Sequence, residues 1–268
     1  MKLTFLGTRG NIPLRSTAHR MHSSLMVSAR GGRVRIDCGA DWLGRVDERQ
    51  PAAIFVTHAH PDHAAGLRRG ARCPVYATPD TWQTMARWPL PDRRVLRARH
   101  AIAVAGFQVE AWPVEHATRA PAVGYRVSAG GVRIFYVPDI ARLADPLRAL
   151  SAVDLYIGDG ATVVRPLLRR RGSVLIGHAP IGTQLAWCQA AGVHRAIFTH
   201  CGSGIVGSDP RDIEAKIRAM GRAYGVAARV VHDGMTAVVR RSARPAASSS
   251  KGGRAAQTEA AVRARSLT

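Results

Sequence analysis

The sequence predicts a mixed α/β sandwich over most of its length. Short apolar runs typical of strands alternate with helical segments, and runs in adjacent pairs near both ends of the chain indicate hairpins. An apolar fraction of 46% over 268 residues is sufficient to fill a sizeable core. These observations exclude a chain that is disordered as a whole, because such chains combine a high net charge with few apolar residues.

The individual elements can be placed from the apolar runs and from the residues that bound them. The expected strands are Lys2–Leu6, Ser24–Ser28, Arg33–Asp37, Ala53–Thr57, Phe107–Val114, Gly124–Val127, Val132–Val137, Val153–Ile157, Val174–Ile176, Ala196–Thr199, Ala228–Val231 and Thr236–Val239. The expected helices are Asp41–Glu48, Pro61–Arg69, Thr78–Arg87, Ala141–Leu150, Gly182–Ala191 and Asp209–Tyr224. The last helix is the most clearly marked, because Asp209 can cap its start, Pro210 suits its first turn, and apolar residues recur on one face.

The positive charge divides between an expected folded domain, residues 1–240, and an expected basic, disordered tail, residues 241–268. The tail contains almost no large apolar side chain and only one acid, Glu259. The whole chain has a formal net charge of +21, yet only three of its 39 basic residues are Lys. A GC-rich genome also produces such a preference for Arg. The charge therefore leaves an anion-binding surface and an ordinary solvated surface equally open.

The sequence predicts a protein of a reducing, cytoplasmic compartment that does not enter a membrane. No apolar run approaches the roughly 20 residues needed to cross a bilayer. The opening segment, MKLTFLG, is too short for a signal peptide. Cys38, Cys73, Cys188 and Cys201 are scattered and form no CxxC pair, which argues against a disulfide framework. The oligomeric state stays open, and a homodimer is one of the alternatives.

The segment THAHPDH, residues 57–63, carries the clearest chemical signal. It follows an apolar strand and enters an expected helix, and it places three imidazoles and one carboxylate within six residues. In extended backbone His58 and His60 point to the same side, whereas Asp62 and His63 follow at the turn and can face a second point. Neutral imidazoles with a carboxylate form the ligand set that suits Zn²⁺ and related divalent ions. The segment therefore predicts a metal site.

Further ligands are expected where apolar strands end in a histidine or an aspartate. Four such positions follow the motif: His116, Asp139, His178 and His200. Scaffolds of the α/β type assemble their sites from the carboxyl ends of several strands, so these side chains are expected to converge on the motif. Asp37 ends an earlier strand and is predicted to support a ligand histidine rather than to bind metal itself.

The motif HAHPDH, followed in order by His116, Asp139 and His200, resembles the metallo-β-lactamase fold superfamily of dinuclear metal hydrolases. The segments MKLTFLGT at the start, IDCG at residues 36–39 and DGM at residues 233–235 resemble the branch that contains tRNase Z and the PhnP-like cyclic phosphodiesterases. The similarity covers roughly residues 1–240. It implies an αββα sandwich of two mixed β-sheets flanked by helices, with the metal site at one edge.

The resemblance implies two divalent metal ions, Zn²⁺ or alternatively Mn²⁺. The implied ligands are His58, His60 and His116 on one ion, Asp62, His63 and His200 on the second, and Asp139 as a bridge between both. An aspartate at the bridging position, rather than a cysteine, argues against a true β-lactamase. His178 lies where the phosphodiesterase branch carries an additional histidine near the leaving group, although the following Ala179-Pro180 departs from the tRNase Z form of that motif.

A mechanism follows from such a pair of ions. Two ions that share a water molecule lower its pKa towards neutrality and supply a bridging hydroxide, and they neutralise the phosphate oxygens in the transition state. The predicted catalytic residues are Asp62, which is also a ligand, and His178. We expect His178 to protonate the leaving group with Asp159 as its orienting partner, or else to be a hydrogen-bonded core histidine.

A cluster of arginines precedes the strand that leads to His178. The cluster comprises Arg165, Arg169, Arg170 and Arg171 and could receive phosphates at the rim of the site, with Arg169, Arg170 and Arg171 as the predicted substrate-binding residues; the alternative is an ordinary solvated face.

The expected function is hydrolysis of a small or cyclic phosphodiester, with an anionic small molecule as the partner. The short spacing between His116 and Asp139 leaves no room for a long arm that clamps tRNA. The alternatives are an RNA- or DNA-processing nuclease of the tRNase Z type, an ester, thioester or lactone hydrolase on the same metals, and a nucleic-acid-binding protein with a structural or degenerate metal site.

Overall fold

The computed structural model describes residues 1–241, and its strands and helices are numbered here in chain order. The strands are β1 (Lys2–Gly7), β2 (Ser24–Ala29), β3 (Gly32–Ile36), β4 (Ala53–Phe55), β5 (Val75–Ala77), β6 (Arg93–Val95), β7 (Ala101–Val104), β8 (Phe107–Val114), β9 (Ala122–Ala129), β10 (Val132–Tyr136), β11 (Leu155–Asp159), β12 (Leu167–Arg171), β13 (Val174–His178), β14 (Arg195–Thr199), β15 (Ala227–Val230) and β16 (Thr236–Val238). The α-helices are α1 (Pro61–Ala64), α2 (Pro79–Thr84), α3 (Pro146–Ala149), α4 (Ile181–Ala190), α5 (Ser203–Val206) and α6 (Pro210–Ala223).

Two seven-stranded mixed sheets and one separate ribbon contain these strands. The first sheet has the order β16-β1-β2-β3-β4-β5-β6, and the second has the order β15-β14-β11-β10-β9-β8-β7. Strands β12 and β13 form the antiparallel ribbon. The predicted αββα sandwich of two mixed β-sheets flanked by helices is therefore confirmed.

Alternation along the strands builds three apolar layers. In β10, Ile134 and Tyr136 point into the core between the sheets, whereas Phe135 points outward beneath the helices. The outer layer on the second sheet includes Leu185 of α4 and Ile217 of α6. The outer layer on the first sheet gathers side chains from α2 and from the segment between β4 and β5. Each sheet is thus buried on both faces.

The parallel part of the second sheet positions the site. Strands β10, β11, β14 and β15 pair in parallel, as do β3, β4, β5 and β6 of the first sheet. Parallel neighbours bring their carboxyl ends to one edge, and loops that leave those ends can share a cleft. This arrangement places residues that follow distant strands next to one another.

Some predicted elements differ from the structure for local reasons. The expected helix Asp41–Glu48 is only a 3₁₀ turn, Ala40–Trp42, because the Asp41 carboxylate binds Arg9 and the chain reverses at Gly44 with a φ of +77°. The expected helix Ala141–Leu150 shortens to α3. The short strands β5, β6, β7 and β12 were not predicted. Strands β6, β7 and β12 are edge or exposed segments without a clear apolar run, whereas β5 is a buried interior strand of only three residues.

The predicted tail, residues 241–268, lies outside the described residues from position 242 onward. The division into a domain and a tail therefore stays a prediction. Within residues 1–241, no helix combines the length and the apolar character that crossing a bilayer requires.

Candidate metal centre

An open cleft of about 930 Å³ lies at the edge of the sandwich where the parallel strands end. His58 to His63 follow β4, His116 follows β8, Asp139 follows β10, and His200 follows β14. The side chains of His58 and His63 are completely buried beneath the cleft, and the other predicted ligands line it. The structure thus brings together all seven residues that the sequence predicted as ligands.

One group of donor atoms surrounds a point between β4, β8 and β10. The Nε2 atom of His58 lies 2.9 Å from Nδ1 of His60 and 3.1 Å from Oδ2 of Asp139. The Nε2 atom of His116 lies 3.3 Å from the same Nδ1 of His60. The four ligand atoms all lie within 4.8 Å of one another, which is the compactness a single metal ion requires.

A second group shares Asp139 with the first. Its members are Asp62, His63, Asp139 and His200, again with all ligand atoms within 4.8 Å. The Nε2 atom of His63 lies 2.9 Å from Oδ2 of Asp139, and Nε2 of His200 lies 3.0 Å from Oδ2 of Asp62. Asp139 is thus the only residue common to the first two groups in the described part of the chain, as a bridging ligand would be.

The donor atoms fit divalent cations because they crowd against one another in a buried cluster. Oδ1 of Asp62 is buried without a hydrogen-bond partner among the described residues. Oδ1 of Asp139 and Nε2 of His63 contact other members of the cluster, since Nδ1 of His200 lies 2.9 Å from that oxygen and Oδ2 of Asp139 lies 2.9 Å from that nitrogen. Buried polar atoms in proteins are nearly always satisfied, and an unsatisfied carboxylate oxygen is especially unfavourable. Cations at the two groups would satisfy these atoms. The assignment of individual ligands stays a prediction.

The protonation states of the first group also suit metal binding. Burial lowers the pKa of His58 well below its ordinary value, and burial with the charge of His116 lowers the pKa of His60 to about 4. Burial likewise lowers the pKa of His116. These imidazoles are therefore neutral at pH 7, which is the form that binds metal.

The second group is dominated by negative charge instead. Burial alone would lower the pKa of His63, but Asp62, Asp139 and Asp37 outweigh it and hold that pKa well above its ordinary value. The pKa of His200 is raised against burial in the same way by surrounding carboxylates. The excess of carboxylates attracts positive charge, which protons supply in the absence of metal and divalent cations would supply instead.

Two residues behind the ligands fix ring orientation. The Asp37 carboxylate accepts hydrogen bonds from the backbone amide of Thr57 at 2.8 Å and from Nδ1 of His63 at 2.8 Å, as its predicted supporting role requires. Gly177 on β13 donates its amide to the carbonyl of His116 at 2.9 Å and accepts from Nδ1 of His116 at 3.1 Å. Sequence reasoning missed Gly177, because nothing in a lone glycine indicates a partner on a distant strand.

His178 lies beside the two groups and is paired with Asp159. Its Nδ1 donates to Oδ2 of Asp159 at 2.7 Å, while its Nε2 has no hydrogen-bond partner within residues 1–241, and the ring lines the cleft. Burial lowers the pKa of His178, but Asp159 and Asp139 outweigh it, so the pKa is raised. The geometry leaves Nε2 available to a molecule in the cleft.

Asp159 and His178 also form a third cluster with Asp139 and His200 that meets the same distance limit. The carboxylate of Asp159, however, already accepts from the amides of Ile140 and Ala161 as well as from His178. Its oxygens are thus occupied by backbone amides as well as by an imidazole, in contrast to Oδ1 of Asp62, which has no hydrogen-bond partner among the described residues. This favours a positioning role for Asp159 over metal ligation.

The arginines predicted to bind substrate lie on an exposed strand. Arg169, Arg170 and Arg171 belong to β12 and do not line the cleft. Arg165 of the same arginine cluster does line it, and so does Lys216. Lys216 was missed because it lies on α6 four residues after Asp212, a spacing that is typical of a solvated helix face.

Comparison with known proteins places these residues within one family profile. A profile described as "Beta-lactamase superfamily domain" matches residues 32–201, a span that contains every predicted ligand. The Ribonuclease Z of Bradyrhizobium diazoefficiens is 31% identical over 140 residues, which cover 42% of this chain and 46% of that protein. The Ribonuclease Z of Methanopyrus kandleri is 28% identical over 163 residues, 54% of this chain and 53% of that protein. The chain thus spans about half the length of these relatives.

Solved structures with a similar fold cover nearly the whole chain. The metallo-beta-lactamase fold protein YhfI from Bacillus subtilis superposes with a TM-score of 0.69 at 15% identity, over 88% of this chain and 97% of that one. Zn(2+)-bound PqqB from Methylobacterium extorquens gives 0.67 at 20% identity, over 89% and 100%. A diphosphatase from the PhnP family gives 0.66 at 20% identity, over 88% and 96%. At such low identities these likenesses show the fold alone.

Proposed function

The chain belongs to the β-lactamase superfamily, and from this premise we propose that it is a metal-dependent hydrolase of phosphodiesters. The observation that carries the proposal is the pair of donor groups that share Asp139, together with the buried Oδ1 of Asp62, which has no hydrogen-bond partner among the described residues and could face a cation. The similarity to two ribonucleases Z supports phosphodiester chemistry.

Each part of the site has a distinct task in this proposal. His58, His60 and His116 would hold one ion, Asp62, His63 and His200 would hold a second, and Asp139 would contribute to both. Divalent ions bound there, Zn²⁺ or Mn²⁺, would supply Lewis acidity and lower the pKa of a water molecule. The neutral imidazoles of the first group leave that group electrically positive once loaded, which favours an anionic substrate.

His178 is the residue that we assign to the leaving group. Asp159 holds its Nδ1 proton and so directs Nε2 into the cleft, where the oxygen of a departing alcohol can take a proton from it. Arg165 and Lys216 line the same cleft and can receive non-reacting anionic groups of the substrate. Asp62 contributes through the metal and through its contact with His200.

We further propose that the substrate is small or cyclic. Strands β9 and β10 form a tight hairpin between His116 and Asp139, so no arm projects from that connection. A cleft of about 930 Å³ accommodates a nucleotide-sized molecule.

We also propose a reducing, cytoplasmic compartment for this protein, and the four free cysteine thiols are compatible with it.

The first test measures metal-dependent hydrolysis directly. Protein stripped with a chelator is expected to be inactive on bis(p-nitrophenyl) phosphate and to regain activity with Zn²⁺ or Mn²⁺, because the site residues alone provide no activated water. p-Nitrophenyl acetate is assayed in parallel with the same preparations. Metal-dependent cleavage of the acetate without cleavage of the phosphodiester would replace the proposal with a carboxyl-ester hydrolase.

A nuclease of the tRNase Z type is the second candidate, and the β12 strand favours it. Leu167 lines the cleft, and Arg169 and Arg171 follow on the same face of the strand at steps of about 7 Å. The three are exposed, and neither arginine forms an ion pair with a described residue. A nucleic acid strand that leaves the cleft could therefore meet consecutive phosphate-binding cations.

Arg170 provides a charge-matched comparison on the opposite face of the same strand. The positive charge of Arg170 attracts the carboxylate of Glu115. Burial raises the pKa of Glu115, but hydrogen bonds and nearby arginine charges, including that of Arg170, outweigh burial and lower it. The double variant R169A/R171A is expected to weaken binding of a single-stranded oligonucleotide and to reduce the slope of log Kd against log salt by about 1.4, for two lost phosphate contacts. Arg169→Ala and Arg171→Ala are each expected to reduce the slope by about 0.7, whereas Arg170→Ala, which removes the same single charge, is expected to change the slope less. Equal slopes in the wild type and all of these variants would remove the nuclease hypothesis.

A further inference from the structure

We infer that Gln184 is a positioning residue that holds Asp159 and His178 in place at the cleft. Gln184 lies in the first turns of α4 and is completely buried. Its side-chain oxygen accepts from the amide of Asp159 at 2.9 Å and from the hydroxyl of Tyr156 at 2.9 Å. Its side-chain nitrogen donates to the carbonyls of Asp159 at 2.8 Å and Ala179 at 3.0 Å. All four hydrogen-bonding positions of the amide are thereby used.

The chemistry of these partners allows only one orientation of the Gln184 amide. The backbone amide of Asp159 can only donate, so it must face the side-chain oxygen. The carbonyls of Asp159 and Ala179 can only accept, so they must face the NH₂ group. The backbone amide and the two carbonyls thus require the same orientation of the Gln184 side chain. A flipped amide would lose the bonds to these three groups, and only the Tyr156 hydroxyl, which can also accept, could keep its bond.

The four bonds connect both halves of the Asp159–His178 pair. Asp159 is held at its amide and at its carbonyl, which fixes the end of β11. Ala179 directly follows His178 at the end of β13, so the bond to its carbonyl fixes the backbone that carries the imidazole. The 2.7 Å contact between the two side chains thus rests on two backbone segments that Gln184 ties together.

Gly158, which directly precedes Asp159 on β11, makes this close approach of Gln184 feasible. A Cβ atom built on Gly158 would lie 2.3 Å from the side-chain oxygen of Gln184 and 2.3 Å from a ring carbon of Tyr156. Contacts that short are forbidden, so any larger residue at 158 would displace the amide. Gly158, Asp159 and Gln184 therefore form one unit behind the site.

Positioning and mere packing predict different results for the isosteric variants Gln184→Met and Gln184→Glu. Gln184→Met removes all four bonds, whereas Gln184→Glu keeps the acceptor bonds and loses at least one of the two donor bonds, because a carboxylate donates none and a protonated carboxyl group donates one. A buried side chain that only packs would affect every reaction of the enzyme equally. A side chain that acts through His178 would affect only the step to which His178 contributes.

The activity test rests on the proposed function and uses two substrates, one with a p-nitrophenol and one with an alkyl alcohol leaving group. Gln184→Met is expected to lower kcat for the alkyl substrate by about tenfold or more, with a change of less than about threefold in KM and for the p-nitrophenyl substrate, because a positioned acid matters most for a poor leaving group. In a His178→Ala background Gln184→Met should cause no further loss. Equal losses in both backgrounds would overturn the inference.

The second readout is independent of activity and follows the imidazole itself. In ¹⁵N-histidine-labelled protein, the Nδ1–H of His178, assigned by its absence in His178→Ala, is expected as an exchange-protected resonance. It should broaden or disappear in Gln184→Met and persist in Gln189→Met, the same substitution on the exposed face of α4. An unchanged resonance in both Gln184 variants would overturn the inference even if the wild type cleaved no phosphodiester. If the wild type is inactive but the resonance changes occur as expected, the proposed function is refuted and the inference about Gln184 stands.

Discussion

Asp139→Asn protein is expected to lose at least half of the metal that the wild type retains, and to lose at least about 10³-fold in phosphodiesterase activity. Asp139 is the residue that both donor groups share, and its Oδ2 lies 3.1 Å from His58 and 2.9 Å from His63. An amide carries no negative charge and offers one ligand oxygen, so it cannot replace a bridging carboxylate. A bound metal ion lowers the activation free energy by several kcal/mol, and each 1.36 kcal/mol corresponds to a factor of ten in rate.

Elemental analysis after gel filtration measures the metal, and Asp154→Asn is the matched control. Asp154 is another buried aspartate of the same sheet, lies before β11 at the end remote from the cleft, and accepts a hydrogen bond from the backbone amide of Arg133. Its substitution is expected to leave the metal content unchanged. The ligand assignment would be wrong if Asp139→Asn and His63→Ala both retained the full wild-type content.

The strand ends explain why the candidate ligands could be selected from sequence. Asp139 and His200 each follow a run of apolar residues that forms a buried strand, and a polar side chain at such a point lies at the edge of the sheet. His178 instead ends β13, a half-exposed strand of the separate ribbon. His58 and His60 add the period of two that places neighbouring rings on one side. Local pattern therefore specified the residue, and parallel pairing of β10, β11 and β14 specified the shared edge.

The parts that sequence did not predict depend on contacts between distant segments. Gly177 supports His116 across a separation of 61 residues, and no local pattern indicates that pairing. Strand β12 was not predicted because all five of its residues are exposed, so no apolar face marks it. Gln184 appears on a helix as an ordinary polar residue until the ends of β11 and β13 are placed against it. Tertiary context, rather than propensity, decides these positions.

His178→Ala protein is expected to show the second-largest effect, and the loss should depend on the leaving group. We expect a decrease of about 10² to 10⁴-fold in kcat for a substrate that releases an alkyl alcohol, which is the usual contribution of a general acid. p-Nitrophenolate can depart without a proton, so its release should fall by less than about tenfold. The reason is the placement of the imidazole, whose Nδ1 is held by Asp159 at 2.7 Å while Nε2 remains open to the cleft.

The metal content distinguishes this role from ligation. Because Asp62, His63, Asp139 and His200 complete the second group without His178, the variant should retain the wild-type content, in contrast to Asp139→Asn. His100 is an exposed histidine that does not line the cleft, so His100→Ala serves as the control and should match the wild type with both substrates. Loss of metal in His178→Ala would indicate that the third cluster binds a cation. A loss of activity that is independent of the leaving group would exclude His178 as the acid, because only proton donation couples the histidine to the basicity of the departing oxygen.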